Sequence, residues 1–341
     1  MDLIIYHESK PGDPCPDGLA AAAIARLKYP DAAVMGACHQ FPIHLPFWIT
    51  TSARILLVDF AIPLEEMRRW VVTFREVMVI DHHQTAWDDL RRIEAHFKLK
   101  AHFDMGESGA TLTWRTLFPG VPVPPVLQHI RDRDLWKFQR PKTPIYHEAM
   151  TTLRDGLMVE NQLVLYQKWI GMDQQTLDNA LREVGEQALK EKMERVRKIA
   201  HRWFPITPAE WWDASKARHP IKDTYEGRVT YRSSDWASPS MEAYNEEIVA
   251  IYGCNFWELK PEIAAIELLP EEFDLRSDVA AFIYNNLARD CLFVAIKTSP
   301  GHYSLRSRSG FGIAALARAY GGGGHKASAG FVLGKLRKDI F

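Results

Sequence analysis

The chain has 341 residues, 47% hydrophobic and 25% charged, and its 42 basic and 43 acidic side chains leave a formal net charge of -1. Such a length exceeds a comfortable single core and predicts two domains. The balanced charge argues against a protein built to hold long DNA or RNA, whose affinity comes from clustered Lys and Arg, although a short nucleic acid inside a cleft remains compatible. In chain order, Leu3–Tyr6, Ile55–Val58 and Val77–Ile80 are short apolar runs, each followed at once by polar residues, and read as strands. Between them, the Ala-rich stretch Gly18–Leu27 and Pro63–Phe74, which opens with Pro and carries acids in its first turn, read as helices. Alternating strands and helices predict a mostly parallel sheet flanked by helices, whose ligands gather beyond the strands' carboxyl ends. His7, Asp59 and Asp81 all fall at that edge.

Asp104–Phe118 reads as a loop feeding an amphipathic helix, with Ser108-Gly109 as the turn at its start. The Pro-rich Val121–Pro125 leads into a helix carrying Ile130-Arg131-Asp132-Arg133-Asp134-Leu135-Trp136. Residues 173–203 are polar with apolar residues at helical spacing and read as a long connecting helix. Beyond Pro205, Val229–Tyr231, Ile248–Tyr252, Leu292–Ile296 and His302–Arg306 read as strands, and Gly312–Tyr320 as a short helix running into glycines. The expected division is a metal-binding domain over 1–172, a connecting helix over 173–204 and a smaller α/β substrate-binding domain over 205–341, with the active-site cleft between the two domains.

Cys15, Cys38, Cys254 and Cys291 form no CxxC pair, so neither a disulfide framework nor a zinc ribbon is indicated. The start Met1–Tyr6 lacks the pattern of a signal peptide, and no run approaches the ~20 apolar residues of a membrane helix. A cytoplasmic protein without a membrane partner is expected.

Two motifs carry the chemistry. Asp81-His82-His83 places an acid and two imidazoles at a strand end, and Gly321-Gly322-Gly323-Gly324-His325-Lys326 offers exposed backbone amides beside an imidazole and an ammonium. A pair of divalent cations roughly 3.5–4 Å apart needs several carboxylates and imidazoles, one of them bridging. His7, Asp13, Asp17, Asp59, Asp81, His82, His83, Asp132 and Asp134 are suitable groups, and mixed oxygen and nitrogen ligands suit Mn²⁺ better than Mg²⁺. A glycine run lets an anion approach the backbone, while Arg306 and Arg308 can fork onto phosphate oxygens. The scattered tryptophans and the remaining histidines are read as core, interface or surface residues.

Together, Val58-Asp59-Phe60, Ile80-Asp81-His82-His83, Ser304–Ser307 and the GGGGHKASAG stretch resemble the DHH phosphoesterase superfamily, in its branch with the DHH-associated C-terminal domain. The resemblance covers His7 to Val332 and implies an enzyme: a phosphoric ester hydrolase binding two Mn²⁺ per chain, with Mg²⁺ as a substitute. It further implies that His7 binds the first metal and Asp17 the second, that Asp59 bridges them, and that His82 completes the second site with Asp132 or Asp134. His83 is then a general acid or electrostatic stabiliser, with Asp81 orienting the histidines. Arg306, Arg308, Gly322, Gly323, Gly324, His325 and Lys326 hold the substrate's terminal phosphate or base.

The family's first motif runs His-x3-Asp-x-Asp. Here Cys15 stands where the first aspartate belongs, and His7 lies four residues too far from Asp17. Either Asp13 restores an oxygen ligand, or Cys15 itself ligates, or the first site is weakened. Of the acids at 132 and 134, Asp134 is preferred because it precedes Leu135-Trp136. The expected substrate is a short oligonucleotide or small nucleotide, in an exonuclease or dinucleotide phosphodiesterase reaction, by a chain compatible with a homodimer. Pyrophosphate or polyphosphate hydrolysis and a catalytically impaired nucleotide-binding protein are the alternatives.

Overall fold

The structure, a computed structural model, describes residues 1–38, 42–83, 93, 99–209, 220–225, 228–233, 259, 263–299, 302–307, 311–319, 323–325 and 328–332. It divides into two compact units, 1–191 and 192–341. The boundary falls inside the long helix 174–200 rather than at either of its ends.

In the first unit, β1 (Leu3–Lys10) lies centrally and pairs in parallel with β3 (Ala33–Ala37) and with β4 (Arg54–Val58). β4 continues the parallel sheet to β5 (Glu76–Asp81), and β5 to β6 (Leu99–Phe103). The short β2 (Asp13–Pro14) folds back antiparallel onto β1. Apolar runs form these strands because both faces are covered. Ile4, Tyr6, Leu56, Val58, Met78 and Ile80 join the core on one face, with the buried alanines of α1 (Pro16–Lys28). Their neighbours Leu3, Ile5, Ile55, Leu57, Val77 and Val79 join the core on the other, with Met67, Trp70 and Val71 of α2 (Leu64–Thr73). Side chains thus alternate between two cores with the period of a strand.

Four further helices complete the unit's first face: α3 (Gly109–Leu117), α4 (Pro125–Asp134), α5 (Thr143–Arg154) and α6 (Val159–Ile170). Tyr146, Tyr166, Trp169, Leu177 and Leu181 are fully or almost fully buried there. The last two belong to α7 (Gln174–Ala200), whose far end places Val196, Ile199 and Ala200 in a core of the second unit. One amphipathic helix therefore supplies core residues to both units.

The second unit holds a mixed sheet of β7 (Phe204–Ile206), β10 (Ile263–Glu267), β11 (Val294–Ser299), β12 (His302–Arg306), β13 (Gly323–His325) and β14 (Ser328–Val332). β10 and β11 are parallel, and the remaining pairings are antiparallel. A separate hairpin joins β8 (Pro220–Tyr225) to β9 (Arg228–Ser233). One sheet face packs on α9 (Ile313–Ala319) through Ile313 and Leu316, the other on α8 (Arg276–Phe282) through Val279 and Ala280. The strand expected over Ile248–Tyr252 lies outside the described residues. Among the described residues, no helix is long and apolar enough to cross a membrane.

Candidate metal centre

Three consecutive parallel strands, β1, β4 and β5, deliver their polar ends to one place. His7 belongs to β1, Asp59 follows β4, and Asp81-His82-His83 closes β5. Asp59 keeps the ladder by donating its N–H to the carbonyl of Ile80 at 2.9 Å, yet adopts a left-handed φ of 54°. That conformation is uncommon outside glycine and is best tolerated by Asp and Asn. Its carboxylate is 1% exposed as a residue and faces two imidazoles: Oδ2 lies 3.6 Å from His7 Nδ1, and Oδ1 lies 3.1 Å from His82 Nε2. The second contact is short but not aligned as a hydrogen bond. Among the described residues, Asp59 Oδ1 and His82 Nε2 are both buried without a hydrogen-bond partner. The two attract as opposite charges, yet neither gains an aligned hydrogen bond from the other.

Two groups of ligand atoms lie on either side of the Asp59 carboxylate, which belongs to the first and contacts His82 of the second. His7, Cys15 and Asp59 can each offer an atom within 4.8 Å of the others, and so can Asp17, His82 and Asp134. A further combination of Asp59, Asp81, His82 and His83 meets the same test. The local fold explains the first group despite the long spacing from His7. Residues 10–13 form a hairpin tip, with Lys10 opposite Asp13 and Gly12 at φ 77°, and the Glu8 carboxylate accepts the Gly12 N–H at 2.9 Å. The extra residues are looped out, so Cys15 returns beside His7 and donates its N–H to the His7 carbonyl at 3.2 Å. Gly18, on the first turn of α1, has no room for a Cβ, which would sit 2.7 Å from that same carbonyl. Arg154 fixes the returning strand by donating to the Pro14 carbonyl at 2.8 Å.

Asp17 is held by the start of α3. Its carboxylate accepts the N–H of Gly109 at 2.5 Å and of Ala110 at 3.0 Å, where the helix dipole favours negative charge. Ser108 caps that helix through reciprocal bonds with Thr111. Gly109 is required by contact, since a Cβ there would lie 2.5 Å from Cβ and from Oδ1 of Asp59. Ser108, Gly109 and Ala110 are thus positioning residues, and their signal in the sequence is the Ser-Gly turn before a helix.

The two uncertain acids separate. Asp134 Oδ2 lies 3.6 Å from His82 Nε2, at the outer lip of the cluster, with a quarter of its side chain accessible. Asp132 instead faces the chain that follows. It accepts the N–H of Gln139 and Arg140 at 2.8 and 3.0 Å and the Thr143 hydroxyl at 2.7 Å. It shapes the segment in which Trp136 and Phe138 take left-handed φ values of 54° and 47°, with the Arg133 guanidinium 4.1 Å from the Trp136 ring centre. Asp13 likewise stands apart: its side chain is half exposed and lies 4.0 Å from Lys10 Nζ. Neither acid is among the grouped ligand atoms of the described residues.

The electrostatics are those of a cluster short of positive charge. Burial, then the neighbouring carboxylates Asp59 and Asp134, raise the Asp17 carboxyl well above its ordinary range. Burial and Asp59 also raise Asp134. Burial would lower the His82 imidazolium, but Asp59, Asp134 and Asp17 more than offset this and lift it to about 10. Burial likewise opposes the Asp59 charge, yet the imidazoles around it hold its carboxyl far below the usual range. Protons therefore take up the charge that a divalent cation would neutralise, and the donors fit such an ion. Asp81, fully buried, accepts the backbone N–H of His82 at 2.7 Å and meets His83 Nδ1 at 2.7 Å. An ionised carboxylate only accepts, so His83 Nδ1 carries the proton in that bond. Burial opposes the His83 charge, and Asp81 overcomes it and raises its pKa.

In the second unit, Arg306 donates to Ser277 Oγ at 3.2 Å and to Ser304 Oγ at 2.8 Å. Its backbone pairs with Ser328, which in turn pairs with His325 across β14 and β13, so Arg306 and His325 share one rung of the sheet. Gly323 and Gly324 lie on β13. Arg308, Gly322 and Lys326 lie outside the described residues.

No protein-family model matches the chain. A relative, the uncharacterized protein R106 of Acanthamoeba polyphaga mimivirus, is 28% identical over 156 residues, which are 42% of this chain and 35% of that protein's length. Among solved structures, the chain is similar to the DHH domain of PF0399, a member of a family of ribosomal proteins (TM-score 0.46, 12% identity, 97% of this chain and 83% of that one). DHH-domain proteins are among its structural neighbours. Another is the pGpG-specific phosphodiesterase PggH of Vibrio cholerae (TM-score 0.45, 12% identity, 98% and 93%).

Proposed function

We propose that the chain is a DHH-type, metal-dependent phosphoesterase acting on short nucleic acids or small nucleotides. The observation that carries this reading is Asp59, whose two carboxylate oxygens face imidazoles from two different ligand groups. One buried carboxylate that belongs to one three-residue group and lies 3.1 Å from His82 of the other fits the bridging donor of a two-cation centre. His7, Cys15 and Asp59 would hold one ion, and Asp17, His82, Asp134 and Asp59 the other. Mn²⁺ suits the second group, where carboxylates dominate. Bound cations of this kind supply an activated water and neutralise charge on the reacting phosphate.

The chain's own residues do the rest. Gly109 and Ala110 keep Asp17 oriented, and Asp132 keeps the segment after Asp134 in place. Asp81 orients His83 through Nδ1, so that His83 Nε2 serves as the atom that delivers a proton to the leaving oxygen. Arg306 and the Gly323–His325 strand are assigned to the terminal phosphate or base of the substrate. Hydrolysis of pApA, short 5′-phosphorylated RNA, pAp, cyclic di-AMP, bis-p-nitrophenyl phosphate and pyrophosphate, with Mn²⁺ and after chelation, tests the proposal. Metal-dependent turnover of a phosphoester supports it; inertness of the whole panel with a full complement of metal refutes it.

A further inference from the structure

We infer that the centre is built for two different metals: a thiolate-bound, borderline-soft ion of the Zn²⁺ class at His7, Cys15 and Asp59, and a hard ion of the Mn²⁺ or Mg²⁺ class at Asp17, His82 and Asp134. This rests on the two-cation reading above and assigns the identity of its ions. Cys15 occupies the N-cap of α1, where Ser, Thr, Asp or Asn ordinarily accept a backbone N–H through the side chain. It makes no such bond. Its backbone is already used, with the N–H given to His7 and the carbonyl accepting the N–H of Leu19. The Gly18 N–H approaches the sulfur without an aligned capping bond, and the sulfur belongs to the ligand group it shares with His7 and Asp59.

Three observations point the sulfur at a metal. The hairpin at 10–13 removes the extra residues from the path and restores Cys15 to His7. Asp59, the third member, is 1% exposed and turns Oδ2 to 3.6 Å from His7 Nδ1, while Oδ1, on the His82 side, has no hydrogen-bond partner among the described residues. Asp13, the carboxylate that would have made an alternative without sulfur, sits on the exposed hairpin beside Lys10. By contrast Cys38, buried at 8% exposure, joins no ligand group among the described residues and behaves as a small apolar residue.

The donor chemistry then sets the ion. Sulfur and imidazole favour Zn²⁺ and discriminate against Mg²⁺ and Mn²⁺, which favour carboxylate oxygen. One nitrogen, one sulfur and one oxygen, with a further position left for water, is the composition of a catalytic rather than a closed structural zinc site. The sulfur–metal bond forms as the thiol proton passes to solvent, so charge and protons balance without a redox step.

The test uses the full chain, freed of metal by chelation and titrated with Co²⁺ as a spectroscopic probe. The wild-type protein should show visible ligand-field bands together with a near-ultraviolet sulfur-to-cobalt charge-transfer band. Cys15→Asp should lose the charge-transfer band and keep the visible ones. Dialysed against Mn²⁺ in large excess over Zn²⁺, the wild-type chain should keep close to one Zn²⁺ per chain, and Cys15→Asp should exchange that ion for Mn²⁺ at a lower excess. Visible bands without charge transfer, or a charge-transfer band unchanged in Cys15→Asp, would overturn the thiolate assignment and leave the two-cation reading standing. Failure to bind cobalt at all would overturn both.

Discussion

Replacing Gly109 with Ala probes how closely the start of α3 approaches the centre. The added Cβ would fall 2.5 Å from Cβ and Oδ1 and 2.7 Å from Cγ of Asp59, against ordinary carbon contacts of ~3.5–4.0 Å. One partner must therefore withdraw by roughly 1 Å. If α3 withdraws, the N–H groups of Gly109 and Ala110 leave Asp17; if Asp59 withdraws, it abandons the oxygen positions that face His7 and His82. Overpacking of this kind costs about 1–3 kcal/mol, a drop of several degrees in melting temperature for a unit of this size. A displacement of ~1 Å at a reacting centre costs on the order of 100-fold in turnover. The assay is Mn²⁺-dependent hydrolysis of bis-p-nitrophenyl phosphate beside a thermal melt. Gly171→Ala is the control, because its Cβ meets nothing closer than 3.6 Å. Wild-type turnover and melting in Gly109→Ala would refute the proposed approach of helix and carboxylate.

Asp59→Asn keeps a residue that tolerates the left-handed backbone but removes a charge; turnover should vanish and the metal-free melt should fall as His82 loses its buried charge partner, and near wild-type activity would remove the bridging role. Asp132 and Asp134 should part company. Asp132→Asn should lower the melting temperature by unsettling the Gln139 and Arg140 amides, whereas Asp134→Asn should raise that of the metal-free protein by relieving carboxylate repulsion while abolishing Mn²⁺ stimulation; melts of both variants with and without chelator decide. Burial, aided by Arg140 and Lys142, lowers the His129 imidazole from 6.5 to about 4. The unfolded chain therefore takes up that proton first, and stability should fall as pH drops from about 6.5 to 4, by on the order of 3 kcal/mol in the limit. Denaturant titrations should show a flatter profile for His129→Gln; equal slopes would reject this source. His325→Ala should raise the Michaelis constant with metal content unchanged, and an unaltered constant would count against its role in gripping substrate.

The strand ends were legible because each is an apolar run closed by a polar residue, and His7, Asp59 and Asp81-His82-His83 fall where a parallel sheet presents its ligands. β3 and β6 were not, since Ala33–Ala37 includes a glycine and Leu99–Phe103 alternates with Lys and His, leaving neither a distinct apolar run. Residues 10–13 illustrate a second limit. Counting along the chain measures contour length, and a hairpin cancels contour length, so His7 and Cys15 are neighbours although the spacing set them apart. The choice between Asp132 and Asp134 needed helix phase and the following turn, which two residues of sequence do not reveal. Ser108-Gly109 was legible as a turn before a helix, but not the need for glycine there, because that constraint comes from Asp59, a partner far away along the chain.

The two chemistries of the first unit end at different places along the chain. The grouped ligands run from His7 to Asp134, but the apolar residues that immobilise them continue through Tyr146, Tyr166 and Trp169 to Leu177 and Leu181. A fragment cut just after Asp134 would possess every donor and lack much of its supporting wall. Autonomous metal capture by a shortened protein thus demands a sequence reaching past Leu181, and insertions aimed at altering specificity belong outside that span.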